Sequence, residues 1–168
     1  MSVLSTAFLE AQKYIYEPLG WQSSNVKEES ESQEYGACSF ELNGKKIIFR
    51  AAKITPTKIG QFVTFWKRIG KGSIMPYDCA DAFDFFVISV RNKNRFGQFV
   101  FPKDVLYEKG IISKNGIGGK RAIRVYPIWD IANNPQAKKT QKWQLQYFFE
   151  VDQNNLIDKN IVQKLYQI

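Results

Sequence analysis

The sequence contains no histidine. That absence excludes Ser-His-Asp and Cys-His catalysis, imidazole-ligated zinc and any histidine switch near neutral pH. Cysteine is scarce as well: the two residues Cys38 and Cys79 cannot by themselves build a structural zinc site. Cys38 falls inside a predicted strand and no export signal is visible, so both thiols are expected reduced and buried rather than bridged. The stretch "MSVLSTAFLEAQKYIY" lacks a basic n-region and a small-residue cleavage site after an apolar core, which predicts a cytoplasmic protein. Long hydrophobic runs are missing too. Charge interrupts each apolar stretch short of a membrane span, so no membrane association is expected. Any chemistry must then come from carboxylates, lysine or tyrosine.

What is present is apolar bulk and positive charge. The 168 residues are 44% hydrophobic, with 13 Phe, 8 Tyr and 4 Trp, enough for one substantial core and a single domain over residues 1–168. The net charge of +8 is unevenly spread. Residues 1–41 carry seven acids and two bases, whereas residues 42–148 carry twenty bases and six acids. A basic block of that size inside a folded domain points to a polyanion partner, against the plainer alternative of a solvated lysine surface.

Periodicity supplies the elements. Leu4, Phe8, Ala11 and Ile15 predict a helix over residues 2–16, closed by Pro18 and Gly20. The acidic stretch Lys27–Glu34 reads as an exposed loop. "YGACSFELNGKKIIFRAAKI" predicts a hairpin turning at Asn43-Gly44. "TKIGQFVTFWKRIG", after Pro56, reads as a helix stopped at Gly70. Phe83–Asn92 predicts a buried central strand, "FGQFVF" a further strand and "PKDVLYEKG" a short helix. The glycine-rich turn "GIGGK" leads into a strand with Ile123 and Val125 on one face and Arg124 and Tyr126 on the other. "NPQAKKTQKWQLQYFFEV" predicts a helix opened by proline, and a last amphipathic segment, "NNLIDKNIVQKLYQI", ends the chain. The expected class is α/β, a mixed central sheet with an antiparallel hairpin flanked by helices.

A two-residue turn at Asn43-Gly44 fixes the register, so that Leu42 faces Lys45, Ala51 faces Gly36 and Lys53 faces Glu34. The short residues at 36 and 51 are expected to leave open space beside this pair. An acid on one strand and a lysine at the end of the next is the ground plan of metal-dependent nucleases with a restriction-endonuclease-like fold. In that plan, PD-(D/E)xK, a second acid stands two positions before the lysine. Here that position is Ala51, so the motif is degenerate. Magnesium takes hard oxygen ligands, with one or two carboxylates besides phosphate, and Glu34 alone is thin. The predicted helix that follows offers no relocated acid, only the amide of Gln61; Glu10 and Glu17 on the first helix are the other candidate donors. Glu34 and Lys53 are thus the catalytic candidates, and magnesium the metal, only if the chain is a nuclease. Otherwise no catalytic or metal site and no cofactor is expected.

Basic residues interleaved with aromatics offer a second site. Lys58 stands at the start of the predicted helix, where free backbone N–H groups favour anions, with Lys67 and Arg68 at its far end. Lys120, Arg121 and Arg124 follow the glycine turn, near Tyr126 and Trp129. Lys138, Lys139, Gln141, Lys142 and Trp143 lie within one and a half helical turns. Lysine and arginine suit phosphates, and aromatic faces can stack on bases. Phe62, Phe65 and Trp66, at helical spacing, read as core instead. "GIGGK" lacks the spacing of a P-loop and reads as a plain turn. The nucleic-acid-binding candidates are therefore Lys53, Lys58, Gln61, Lys67, Arg68, Lys120, Arg121, Arg124, Lys138, Lys139, Gln141, Lys142 and Trp143.

The strings "FRAAKITPTKIGQFVTFWKR", "FGQFVFPK", "GGKRAIRVYPIWD" and "KKTQKWQ", in that order between about Tyr35 and Phe148, resemble the MepB family of bacterial proteins. The resemblance implies a fold similar to restriction endonucleases and a nucleic-acid role, and the family takes its name from an operon that also encodes a multidrug efflux pump and its repressor. It brings no established catalytic residues. The expectation is a protein that binds DNA or RNA on a nuclease-like scaffold with little or no cleavage. The alternatives are a metal-dependent nuclease, or a basic protein-interaction module linked to such an operon.

Overall fold

Asn43 and Gly44 both adopt positive φ, 49° and 80°, the geometry of a two-residue hairpin turn. Across it, Leu42 faces Lys45, Phe40 faces Ile47 and Cys38 faces Phe49, the register expected from the turn. The computed structural model describes residues 4–168; Ser2 and Val3, at the start of the predicted first helix, lie outside the described residues. In chain order the elements are α1 (Thr6–Ala11), β1 (Ser23–Glu28), β2 (Cys38–Leu42), β3 (Lys45–Ala51), β4 (Lys53–Ile54), β5 (Gln61–Thr64) and β6 (Phe85–Asn92). They continue with β7 (Arg95–Pro102), α2 (Lys103–Glu108), β8 (Ala122–Val125), α3 (Pro135–Gln144), β9 (Phe148–Val151) and α4 (Lys159–Tyr166).

Two sheets result. The larger has the order β1-β2-β3-β6-β7-β9 and is antiparallel except where β6 runs parallel to β3. The smaller, β4-β5-β8, is antiparallel throughout. Strand alternation gives the large sheet two apolar faces. Phe40, Leu42, Ile47, Phe49, Phe85 and Val87 pack with Phe8, Ala11 and Ile15 of the first helical segment and with Val162 and Tyr166 of α4. Ile48, Phe86, Ile88, Phe99 and Phe101 meet Val63, Phe65, Ile123 and Val125 of the small sheet. Phe65 stacks on Phe86 with ring centroids 3.7 Å apart and so joins the two sheets. Burying a side chain of that size contributes about 1.5–3 kcal/mol.

The first helix begins at Ser5, whose hydroxyl accepts from the Phe8 amide at 3.2 Å, and it widens into a π turn over Gln12–Tyr16. It ends at Gly20, as the glycine after Pro18 predicts. At the far side Tyr16 and Tyr166 meet hydroxyl to hydroxyl at 2.8 Å, and Tyr166 donates to Gln98 Oε1 at 2.6 Å. This buried chain holds α4 against β7. Burial lifts both phenols well above their ordinary pKa, so they stay neutral.

Three expectations are corrected. The predicted helix over Thr57–Gly70 is instead β5 with an extended continuation. Gln61, Val63 and Phe65 are buried while Phe62, Thr64 and Trp66 are half-buried, a period of two. The spacing of Phe62, Phe65 and Trp66 fits a helix, but "FVTFW" is β-branched and aromatic, and pairing with β8 decides the outcome. Second, α3 stops at Gln144, and Phe148–Val151 leaves it to become the edge strand β9. Third, the acidic loop begins later than expected, because Lys27 and Glu28 belong to β1. The charges there suit an edge strand. Both cysteines are free; Cys38 is buried and its thiol is pushed up to about 12 by that burial, while Cys79 is only partly covered. No helix among the described residues is long and apolar enough to cross a membrane.

Candidate nucleic-acid interface

The hairpin end forms the pair its register predicts, with two departures. Lys53 Nζ lies 3.5 Å from Glu34 Oε2, the side chains 46% and 65% exposed. Glu34 reaches it from a short 3-10 turn (Gln33–Tyr35) rather than from the strand, since β2 starts only at Cys38. The space expected beside Gly36 and Ala51 is filled. Gly36, at φ +58°, has no room for a Cβ, which would stand 2.7 Å from Ser5 Oγ and 2.9 Å from Ser5 Cβ. The α1 cap therefore fills the space beside Gly36. Glu10 is ion-paired with Arg91. No group of three or more His, Cys, Asp or Glu suited to a metal ion occurs among the described residues. This donor set does not fit magnesium.

Three residues before Lys53, on β3, Arg50 is wholly buried. It donates to Glu29 Oε2 at 2.7 Å and to the Phe49 carbonyl at 2.9 Å, while its Nε has no partner. Glu29 is the cost of carrying a guanidinium into the core.

From Lys53 a row of side chains crosses the outer face of the small sheet. Lys53 pairs with Phe62 and Phe62 with Arg124 in register, so the two cations stand two strand spacings apart, about 10 Å. Tyr35 supports the row: Lys53 lies 5.0 Å over its ring and Phe62 is 6.2 Å from it. Arg124 continues toward residues 55–60, donating to Thr55 Oγ1 at 3.0 Å and to the Gly60 carbonyl at 3.2 Å.

Beyond Arg124 the surface opens into a cleft of about 610 Å³ between the loop at 57–59, β8 and α3. Lys58, Lys109, Lys120 and Arg124 line it, and no carboxylate does. Asn133, Asn134, Gln136 and Thr140 add polar groups around the amino-terminal turns of α3. Asn134 caps that helix by accepting from the Ala137 amide at 2.8 Å, and Pro135 occupies its first position, as predicted. Lys120 is delivered by the glycine turn, which Asp78 pins by accepting from Ser113 Oγ at 2.7 Å and the Gly116 amide at 3.1 Å. Those bonds and the Ala80 amide hold the Asp78 carboxyl down to about 2, so it stays charged.

The thirteen binding candidates separate into four groups. Lys58, Lys120, Arg124 and Trp143 come together in the cleft, and Lys53 stands in the adjoining row. Lys67, Arg68, Gln61 and Gln141 are committed internally. Lys67 pairs with Asp81 at 2.7 Å and Arg68 with Glu31 at 2.8 Å. Gln61 points inward because β5 turns 61, 63 and 65 to the core, and its amide donates to the Arg91 carbonyl. Gln141 donates to the carbonyls of Pro127 and Asp130, at 2.9 and 2.8 Å, and so ties α3 to the chain after β8. Lys138, Lys139, Lys142 and Arg121 are exposed but lie outside the cleft wall, since α3 turns positions 136, 137, 140, 143 and 144 toward it. Lys58 is in a loop, so the helix start proposed to assist it does not exist. Trp143 reaches the cleft with its ring against Phe101 at 5.3 Å and Lys109 5.3 Å over it. Sequence reasoning missed Lys109, which reads as an ordinary charge at the end of α2, and undervalued Tyr126, whose place opposite Gly60 no spacing reveals.

A two-sheet α/β protein with a basic, carboxylate-free cleft is the class that fold and site define. The sequence matches the MepB-like family over residues 29–150, and the chain belongs to that family. The crystal structure of MepB is similar to it with a TM-score of 0.76 and 35% identity, over 88% of this chain and 98% of that one. The structure of a bacterial homing endonuclease, I-Ssp6803I, matches at a TM-score of 0.42 and 19% identity, over 84% of this chain and 93% of that one. No curated protein matches.

Proposed function

We propose that this MepB-like protein binds nucleic acid in the cytoplasm, gripping phosphates at the cleft, on a nuclease-like scaffold that does not cleave. The observation that carries the reading is the composition of the cleft wall, four cations with no acid among them. Outside the cleft, Lys67 and Arg95 by contrast stand against carboxylates, Asp81 and Glu150. A cleft kept free of acids holds its positive potential for a polyanion. The Lys53–Phe62–Arg124 row extends the same charge toward the hairpin end, where the degenerate PD-(D/E)xK pattern retains an acid and a lysine and lacks the second acid.

Gel shifts with duplex DNA and with RNA at controlled salt test this. Each phosphate contact contributes a slope of about −0.9 in log affinity against log salt on duplex, and about −0.7 on single strands. Affinity that does not change between roughly 50 and 200 mM salt would refute the reading. Incubation with plasmid or RNA plus magnesium or manganese tests the absence of cleavage. Cutting that disappears in Lys53→Ala would make the hairpin end a working nuclease site.

A further inference from the structure

The cleft holds an aromatic side chain that the packing of the core does not use. Tyr126 is half-buried and lines the cleft, and among the described residues its ring enters no aromatic pair and no cation–ring contact. Trp143, by contrast, is packed on Phe101 and covered by Lys109. The place of Tyr126 is made by Gly60, at φ +86°, where a Cβ would come within 2.8 Å of two of the tyrosine's ring carbons. Any larger residue at 60 would push the ring away. Arg124, two positions earlier on β8, also bonds the Gly60 carbonyl at 3.2 Å. One glycine therefore seats a flat ring and a phosphate-type cation side by side, with Lys58 on the same loop.

Shape adds a second constraint. A concave site of about 610 Å³ is in the range of cavities that enclose one small ligand. A duplex presents a convex backbone and base edges, with its base faces already stacked on each other. An aromatic ring inside a concave cleft meets a base face only when that base is unpaired.

Resting on the function proposed above, we propose that the cleft takes an unpaired nucleotide, its base stacked on Tyr126 and its phosphate held by Arg124 and Lys58. The preferred ligand is then a single strand or a single-stranded end, and a fully paired duplex meets only the surrounding charge.

The test compares three labelled probes by fluorescence anisotropy at fixed salt: a single-stranded oligonucleotide, the blunt duplex it forms, and that duplex with a short overhang. The wild type is expected to bind the single strand and the overhang at least about tenfold more tightly than the blunt duplex. Tyr126→Ala should remove most of that preference, about tenfold, as loss of one base stack does, and Tyr126→Phe should retain it. Lys58→Glu should weaken all three probes together. Equal affinity for single strand and blunt duplex, or a Tyr126→Ala variant that keeps the preference, overturns the inference and leaves phosphate binding intact. Failure of every probe to bind overturns both. Since Tyr126→Phe keeps the ring, a preference lost in both variants points to disturbed folding at Gly60 and also counts against the stacking role.

Discussion

Where β3 gives way to β4, two cations three residues apart are each matched by a glutamate, Arg50 by Glu29 in the core and Lys53 by Glu34 at the surface. In the cleft, Lys58, Lys109, Lys120 and Arg124 have no such match. All these residues look alike in the sequence, and their neighbours assign them different work. Arg50 with Glu29 is structure, since a guanidinium at zero exposure cannot meet a ligand. Lys53 with Glu34 is a surface pair of about 0–1 kcal/mol. The cleft cations are gathered in one concavity whose wall holds no carboxylate. A basic residue becomes a candidate for anion binding through the acids that the fold keeps away from it.

Four variants, two of them double, would break or sharpen this comparison. The largest effect is expected at the buried pair. Glu29→Ala strands Arg50 and should cost about 3 kcal/mol, read as a lower urea midpoint at unchanged slope, whereas replacing both partners with apolar residues should recover much of the loss. Loss of stability no larger than at Glu34 would remove the distinction between the two hairpin pairs. Next comes the double variant Lys58→Glu with Lys120→Glu. It should weaken nucleic-acid binding more than tenfold and flatten the salt dependence by roughly one slope unit per lost contact, without shifting the thermal midpoint. Smaller still, Glu34→Ala should change stability by less than about 1 kcal/mol, and by freeing Lys53 it should strengthen binding slightly. The smallest effect belongs to Lys138→Ala with Lys142→Ala, outside the cleft wall. Affinity there should stay within about twofold of the wild type, by gel shift. A loss equal to that of the cleft variant would move the binding surface to the back of α3.

Much of the framework was legible in the sequence. Asn43-Gly44 set the hairpin register from Leu42–Lys45 to Cys38–Phe49, and the Glu34–Lys53 pair extrapolated from it forms, although Glu34 reaches Lys53 from a 3-10 turn beyond the ladder. The apolar run at Phe83–Asn92 announced the central strand, and Pro135 and Gly20 marked helix ends. What was not legible depended on long-range pairing. Phe62, Phe65 and Trp66 satisfy a helical spacing, and only β8, some sixty residues away, makes that segment a strand. With β5 assigned to a helix, the small sheet was invisible, and so was the row Lys53–Phe62–Arg124 that leads to the cleft. Individual residues misled for a related reason. Gln61 and Gln141 look like base readers because a sequence does not reveal which polar side chains serve backbone carbonyls. Of the basic residues singled out in the sequence, the fold gathers Lys58, Lys120 and Arg124 at the cleft, sets Lys53 in the adjoining row, and leaves Lys67, Arg68 and the Lys138–Lys142 group outside it.

The parallel contact between β3 and β6 has a consequence for how the molecule assembles. The chain leaves the large sheet after Ala51, lays down two strands of the small sheet, and returns at Phe85 to become its own neighbour's partner. Closing that excursion costs entropy before the central pairing repays it. The outer sheet is thus threaded through the middle of the inner one and is no appendage to it. An intermediate that has ordered the helices but not this excursion would lack Lys58 and the Gly60 bend in their places, so the capacity to hold an anion should emerge late in folding, in step with the protection of β6 amides from exchange.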